Sequence, residues 1–140
     1  MTSQLSAATI AATIPLREGE TTWTVEEVQA VTSALHSDKE RLSAELELAG
    51  QELAALLGTG GGAGDDQADA GSWALEREQA LALVHSLRDM VRHCELALER
   101  LASGEFGICE DCEKPIGKPR SLAFPRAVKC VACKQREERR

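Results

Sequence analysis

Four cysteines near the C-terminus have the spacing of a metal site. Cys109 and Cys112 form one Cys-x2-Cys pair, and Cys130 and Cys133 form a second pair after seventeen intervening residues. Two such pairs fit a tetrahedral zinc site to which each pair gives two thiolates. Four protein ligands leave no coordination position for water, so the pattern predicts one structural Zn²⁺ that stabilises a small fold without catalysing a reaction.

The other candidate reactive side chains form no catalytic arrangement. Cys94 falls on a helical seam and is interpreted as a small buried side chain. His36, His85 and His93 lack the spacing of metal ligands. No nucleophile is paired with a base, so together with the closed zinc site the sequence predicts a protein that is not an enzyme.

Composition limits the kind of fold that can hold these cysteines. Only 3% of the 140 residues are aromatic, which argues against a large globular core and favours helices packed on helices. The formal net charge of −7 divides unevenly, because residues 1–100 carry −10 and residues 101–140 carry +3. The cysteine-rich end is therefore mildly basic. Contact with nucleic acid and a solvated face both remain open for its basic residues, Lys114, Lys118, Arg120, Arg126, Lys129, Lys134 and Arg136.

Targeting signals are not evident in the sequence. The N-terminus lacks a charged region followed by an apolar stretch, and no apolar run approaches the ~20 residues that span a bilayer. Thiols in a reducing compartment bind metal more readily than they form disulfides. We therefore expect a cytoplasmic protein with no membrane contact.

The chain is expected to begin with a mostly disordered leader, residues 1–22, that is rich in Ser, Thr and Ala. A helix start follows it. Thr24 and Glu27 make a capping box, and Trp23 is placed to pack on Val28 as a hydrophobic staple.

Two long seams with alternating spacings of three and four residues predict a mainly α protein, built on an antiparallel coiled-coil hairpin over residues 23–104. Each seam consists of aliphatic residues with a few tolerated substitutes. The first comprises Val28, Thr32, Leu35, Lys39, Leu42, Leu46, Ala49, Leu53 and Leu56, and the second Ala80, Val84, Leu87, Val91, Cys94, Leu98 and Leu101.

A Gly- and Asp-rich tip loop, residues 58–72, is expected between the two helices. Gly58 would end the first helix and Ser72 would cap the second. Asp65, Asp66 and Asp69 concentrate carboxylates in this loop. They are good turn formers, and they also suit an approach to a metal ion, a basic protein surface or another enzyme's active site. The glycine run lacks the Gly-Lys-Ser/Thr ending of a phosphate-binding loop.

Residues 105–140 are expected to form a small four-cysteine zinc finger with a short C-terminal helix. Pro115, Pro119 and Pro125 are expected to break any helix between the cysteine pairs.

Residues 66–136 resemble the DksA/TraR family of zinc-finger proteins, which bind bacterial RNA polymerase. Asp66 and Asp69 match a family D-x-x-D-x-A element at the tip. The other matching residues surround the cysteines, as ALERL-x-x-G-x-FG-x-C-x-x-C from Ala97 to Cys112 and PI-x-x-x-R-x-x-A-x-P-x-x-x-x-C-x-x-C from Pro115 to Cys133. This chain differs from the usual family pattern at two positions. Gly71 stands where the family commonly has alanine, and Glu113 stands where it commonly has glycine.

The resemblance implies a monomeric regulator of transcription. Its coiled coil would enter the secondary channel of RNA polymerase, and the tip residues Asp65, Asp66 and Asp69 would approach the catalytic centre and modulate initiation. Some family members respond to guanosine tetraphosphate, so this nucleotide is a further candidate partner.

Two other functions compete with this interpretation. A zinc-ribbon module that binds DNA or RNA directly would have a salt-dependent affinity carried by its basic residues. A structural coiled-coil adaptor would instead dimerise through exposed seam residues.

Overall fold

The computed structural model describes residues 5–59 and 67–139, and these ranges contain five α-helices and no β-strand. Their one extended pairing is an isolated antiparallel bridge between Ile108 and Pro115. No helix in these ranges is long and apolar enough to span a membrane. The predicted mainly α fold is confirmed, and its helices are α1 Ala7–Thr13, α2 Val25–Thr59, α3 Gln67–Ser103, α4 Lys118–Ala123 and α5 Val131–Glu138.

The two long helices pair with each other. The chain divides into one compact unit formed by Met1–Lys39 and Arg92–Arg140 and a second formed by Glu40–Val91. Within the first unit, Val28 near the start of α2 belongs to the same buried cluster as Leu101 near the end of α3. Within the second unit, the indole Nε1 of Trp73 donates a hydrogen bond of 3.2 Å to the carbonyl oxygen of Leu56. These pairings are those of an antiparallel hairpin, as the sequence predicts.

Burial along α2 and α3 follows the predicted seams. Every residue of both seams is buried or half-buried, Lys39 included. Eight seam residues are buried, and in these two helices only Val31 and Ala97 are also buried at described positions off the seams. The eight are Val28, Leu35, Leu42, Ala49, Val84, Leu87, Cys94 and Leu101. The heptad pattern therefore identified the buried faces of both helices, and Cys94 is a buried side chain as expected.

The start of α2 is a reciprocal cap. The backbone N–H of Glu27 donates to Thr24 Oγ1 at 3.1 Å, and the backbone N–H of Thr24 donates to Glu27 Oε1 at 2.9 Å. Trp23 and Val28, on either side of this cap, lie in one buried cluster. Two N–H groups that the helix itself cannot satisfy are thus paired, and the predicted capping box is confirmed.

The predicted tip loop, residues 58–72, is too long at both ends. Helix α2 continues through Gly58 to Thr59, and α3 begins at Gln67, so that Ser72 lies inside α3. Gly58 lies in the last turn of α2, one residue before the helix ends. Gly104, in contrast, does end α3, with a φ of +83° that favours glycine.

The N-terminal segment is ordered where the structure describes it, contrary to the predicted disordered leader. Residues 7–13 form helix α1, and Ile10 and Ile14 are buried in one cluster with Trp23 and Phe106. Ile10 and Ile14 lie one helical turn apart, but their small polar neighbours lower the hydrophobicity of the segment. Only tertiary partners distant in sequence give these side chains an apolar site.

A short helix also lies between the two cysteine pairs, where the prolines were expected to prevent one. Helix α4 begins at Lys118 and has Pro119 in its first turn. Proline is tolerated there because the first-turn N–H groups have no helical acceptor. The predicted short C-terminal helix is confirmed as α5.

Candidate metal centre

The first cysteine pair lies on a tight reversal of the chain. The N–H of Cys109 donates to the carbonyl oxygen of Lys114 at 2.9 Å, and the N–H of Glu113 donates to the carbonyl oxygen of Cys109 at 3.0 Å. The bridge between Ile108 and Pro115 closes the base of this loop. Glu113 makes the turn at a φ of +62°, a left-handed conformation that usually favours glycine. The turn that the family's glycine would provide is thus made here by a glutamate.

The second cysteine pair is held by the first turn of α5. Cys130 is the N-cap residue of this helix and Cys133 lies in its first turn. The positive end of the helix dipole therefore faces the region of these sulfurs and favours thiolates. A hydrogen bond of 2.9 Å from Glu110 N–H to the Val128 carbonyl oxygen joins the loop of the first pair to the segment before the second.

The four sulfurs converge on one point. All four Sγ atoms lie within 4.8 Å of one another, and the Sγ atoms of Cys112 and Cys130 are 3.8 Å apart. A tetrahedron of sulfurs about 2.3 Å from a zinc ion has edges of about 3.8 Å, whereas a disulfide would bring two sulfurs to about 2.05 Å. The residues present therefore fit a four-coordinate, thiophilic divalent metal, and the structure brings together all four predicted ligands.

The cluster contains thiols of opposite acid strength. Burial raises the pKa of Cys109, but backbone N–H donors from Cys112, Cys130 and Asp111 outweigh it and lower the value to about 6. Burial and the neighbouring cysteines raise the pKa of Cys133 to about 12. A divalent cation binds the thiolate form of each cysteine, so its binding releases the protons that the thiols of the cluster hold.

Charged side chains surround the cluster and hold its two halves together. An Nη of Arg136 donates to Cys133 Sγ at 3.1 Å, as a group that supports a metal-bound thiolate would. Lys129 Nζ lies 3.3 Å from a carboxylate oxygen of Asp111 and 3.2 Å from one of Glu137. Arg120 Nε donates to the carbonyl oxygen of Lys129 at 2.9 Å. These contacts link the first loop, α4 and α5 around the sulfurs.

Lys118, which makes none of these contacts around the sulfurs, binds residues at and just before the start of α2. The Nζ of Lys118 lies 2.8 Å from Glu27 Oε1 and also donates to Thr21 Oγ1 at 3.1 Å and to the Thr22 carbonyl oxygen at 3.2 Å. Its side chain is only 12% exposed. Sequence reasoning missed this role because the partners lie more than ninety positions from Lys118. Arg136, three residues after Cys133 in one helix, could have been found from its helical spacing.

These contacts change the interpretation of the basic residues. Four of the seven considered for nucleic acid make the intramolecular contacts given above, namely Lys118, Arg120, Lys129 and Arg136. A fifth, Lys134, lies 3.7 Å from Glu137. Lys118, Lys129 and Lys134 are paired with carboxylates, and charges that are already neutralised release fewer counterions from a phosphate backbone, so this face is a weaker candidate for direct nucleic-acid binding.

The predicted tip residues fall at the edge of what the structure describes. Asp65 and Asp66 lie outside the described residues. Asp69 lies in the first turn of α3, and its side chain is outside the described set. Their role therefore stays a prediction. His36, His85 and His93 are exposed on the helices and none of them is part of the sulfur cluster, as their spacing suggested.

The fold and the site define a helical hairpin protein with a C-terminal four-cysteine metal-binding module. Residues 104–139 match the family model of the prokaryotic dksA/traR C4-type zinc finger. The structure of transcription factor DksA2 from Pseudomonas aeruginosa is similar to this chain with a TM-score of 0.60 and 31% identity, over 78% of this chain and 81% of that one. The chain belongs to the DksA/TraR family.

Curated relatives match a shorter part of the chain. The RNA polymerase-binding transcription factor DksA of Caulobacter vibrioides is 35% identical over 75 residues, which are 54% of this chain and 53% of that protein. An uncharacterized protein of Aquifex aeolicus is 39% identical over 49 residues, 35% of this chain and 34% of its own length. The chain thus matches about half the length of the Caulobacter relative and about a third of the Aquifex one.

Proposed function

We propose that this protein regulates transcription by binding bacterial RNA polymerase through the secondary channel and modulating initiation with the acidic tip of its hairpin. The observation that carries the proposal is the likeness to DksA2, which extends over 78% of this chain and 81% of that transcription factor. The Caulobacter relative is named as an RNA polymerase-binding transcription factor, and this name supports the polymerase as the proposed partner. Asp65, Asp66 and Asp69 are the residues proposed to act at the polymerase.

The metal centre has a structural part in this function. We assign Zn²⁺ to Cys109, Cys112, Cys130 and Cys133, because four thiolates suit zinc and close its coordination sphere. A closed site offers no position for substrate or water, so the protein is proposed to act by contact rather than by chemistry of its own. The metal fixes the module, and the paired helices present the tip.

Transcription initiation by purified RNA polymerase tests this proposal. We would compare the wild-type protein with Asp66→Asn/Asp69→Asn, which keeps side-chain size and removes two charges. The matched control is Glu76→Gln/Glu78→Gln, which removes the same charge from exposed positions further along α3. We expect the change in initiation to disappear only in the tip variant. An equal response from all three proteins would overturn the proposed role of the tip.

Polymerase binding is measured separately, so that loss of contact and loss of effect are distinguished. The tip variant should bind with an affinity close to that of the wild type, because the proposal places its defect after binding. Repeating the transcription assay with guanosine tetraphosphate tests the predicted nucleotide response, and sedimentation tests the predicted monomer. Absence of polymerase binding by the wild-type protein would overturn the proposal as a whole.

Direct nucleic-acid binding is tested by the salt dependence of filter binding. The proposal expects no specific complex and weak retention that falls with salt irrespective of the tip. A tight complex that depends on the C-terminal basic residues would favour the zinc-ribbon alternative. Dimerisation in sedimentation would favour the structural adaptor.

A further inference from the structure

The N-terminal segment contacts the metal-binding module at three glycines. We call residues 5–22 the strap. A Cβ atom at Gly104 would lie 3.1 Å from Cδ1 of Leu5, and one at Gly107 would lie 3.0 Å from Cγ2 of Ile14. A Cβ atom at Gly117 would lie 3.1 Å from Cδ of Arg17. The strap therefore packs directly against the backbone at each of these positions.

Two of these glycines flank the first cysteine loop. Gly107 precedes Cys109 by two residues, and Gly117 follows Cys112 by five. The loop is closed between them by a hydrogen bond of 2.8 Å from Ile116 N–H to the Gly107 carbonyl oxygen. The strap thus contacts both sides of the base of the loop that carries two metal ligands.

Polar contacts hold the same junction. Glu20 Oε2 accepts a hydrogen bond of 3.0 Å from the backbone N–H of Lys118, immediately after Gly117. The other oxygen of Glu20 accepts from Arg17 N–H at 2.7 Å, which fixes the turn of the strap. The Lys118 ammonium donates to Thr21 Oγ1 at 3.1 Å in addition. Lys118, which follows the cysteine loop, is therefore bound to the strap through both its backbone N–H and its side chain.

We propose that docking of the strap and retention of the metal are coupled, so that the strap slows metal loss and metal loss releases the strap. The loop must hold the Sγ atoms of Cys109 and Cys112 at metal-binding separations, and the strap restricts the movement of the loop's base. Because the two equilibria are linked, the free energy by which the docked strap strengthens metal binding equals the free energy by which the bound metal strengthens strap docking. This coupling is independent of any contact with polymerase.

Metal release to an excess of a chromogenic chelator tests the first half of the proposal. Ile14→Ala removes the strap side chain that packs on Gly107, whereas Val31→Ala removes a buried side chain of the same apolar cluster that lies in α2, outside the strap (6% and 2% exposed). We expect Ile14→Ala to release zinc about tenfold faster than Val31→Ala, within the usual range of coupling between sites. Equal rates would overturn the proposal, because they would reflect general loss of stability. Ile14→Val provides the graded comparison if the alanine variant does not fold.

A polar pair tests the same coupling independently of the apolar cluster. Glu20→Ala removes the acceptor for Lys118 N–H, and Glu18→Ala removes an exposed carboxylate two residues earlier in the strap. Faster zinc release is expected for Glu20→Ala alone. Identical release from both variants would contradict the coupling.

Limited proteolysis of the full chain tests the reverse direction. Arg17 is the first site for trypsin, and the next is Lys39 in α2. Removal of the metal by chelation should accelerate cleavage after Arg17 about tenfold while cleavage after Lys39 changes little. Unchanged cleavage at Arg17, or equal acceleration at both sites, would overturn release of the strap as a local event.

Discussion

Single residues in this protein hold conformations and contacts on which the metal site depends. Glu113 is the clearest case, because it turns the first cysteine loop at a φ of +62° although it has a side chain. The left-handed conformation costs an L-residue about 1–2 kcal/mol relative to glycine. The loop carries this cost next to Cys112.

Replacing Glu113 by glycine is expected to stabilise the protein. The left-handed strain is removed, but glycine also gains about 0.5–1 kcal/mol of freedom in the unfolded chain, so the net gain should be about 0.5–1 kcal/mol. Denaturant unfolding of the zinc-loaded protein measures it. Glu113→Ala keeps the strain and serves as the control, and a gain of the same size in that variant would show that the side chain rather than the φ angle is responsible.

Glu27 gives a second prediction at the residue scale, on pH dependence. A hydrogen bond from Lys118 is the largest of the contacts that lower the pKa of Glu27 below its usual value of 4.5, and the backbone of Thr24 contributes next. A carboxylate with a lowered folded-state pKa stabilises the fold fully above its unfolded value and loses that contribution as pH falls through the folded one. The stability difference between wild type and Glu27→Gln should therefore be constant above about pH 5 and shrink below pH 4.5.

Unfolding of the two proteins across this pH range tests the sign. Glu26→Gln is the matched control, because Glu26 is an exposed neighbour in the same turn of α2 and Lys118 pairs with Glu27. Acid release of the metal affects all three proteins and cancels in the differences. A Glu27→Gln difference that grows with acidification would contradict the assigned contact.

At the scale of the helices, glycine has opposite roles in the interior and at the ends. Gly50 lies inside α2, and apart from the helix's own backbone no atom of the described residues would lie within 4 Å of a Cβ atom added there. Gly104 ends α3 at a φ of +83°, and an added Cβ atom would lie 3.1 Å from Leu5. Gly71 resembles Gly50, because it lies inside α3 and an added Cβ atom would meet no atom of the described residues within 4 Å. Among the described residues, the departure from the family's alanine at Gly71 therefore weakens helix propensity without changing a side-chain contact.

Gly50→Ala and Gly104→Ala should change stability in opposite directions. In the helix interior, alanine is preferred to glycine by about 0.5–1 kcal/mol, so Gly50→Ala raises the free energy of unfolding by about that amount. Gly104→Ala lowers it by at least about 1 kcal/mol, because the left-handed conformation and the contact with Leu5 are both unfavourable to a methyl group. Thermal unfolding followed by helical circular dichroism distinguishes them, and a stabilising Gly104→Ala would contradict the structure.

At the scale of the whole molecule, the metal site belongs to one of the two compact units. All four cysteine ligands lie in the unit formed by Met1–Lys39 and Arg92–Arg140, and the unit Glu40–Val91 contains none of them. Each unit contains one tryptophan, Trp23 in the first and Trp73 in the second. The two indoles can therefore report on the two units separately.

Chelation of the metal is expected to loosen the first unit more than the second. In the Trp73→Phe variant, the buried Trp23 should shift its emission to longer wavelength when zinc is removed, because the cluster with Phe106 opens to water. In Trp23→Phe, emission from Trp73 should change little. Phenylalanine suits position 23 because the Trp23 Nε1 has no hydrogen-bond partner among the described residues. Equal shifts in both variants would indicate that the metal stabilises both units alike.

Sequence patterns alone predicted the four cysteines that converge in the structure, the pairing of the long helices and the start of α2. Each depends on residues close together in the chain, namely the spacing within each cysteine pair, the heptad seams and the Thr24–Glu27 box. Such patterns specify local geometry that the fold then retains. The buried seam residues Leu35, Leu42 and Leu87 show that alternating spacings of three and four residues are enough to identify the apolar face of a helix.

The place of the strap and the role of Lys118 became evident only in the folded chain. Val31 and Ala97 lie off the predicted seams, yet both are buried in the cluster that also holds Ile10 and Ile14 of the strap. The acceptors of Lys118 come from the other end of the chain. Neither contact leaves a periodic signal, because each joins segments about ninety residues apart whose burial depends on the completed fold. The composition of the strap predicted disorder because it could not show the apolar surface that the rest of the chain provides.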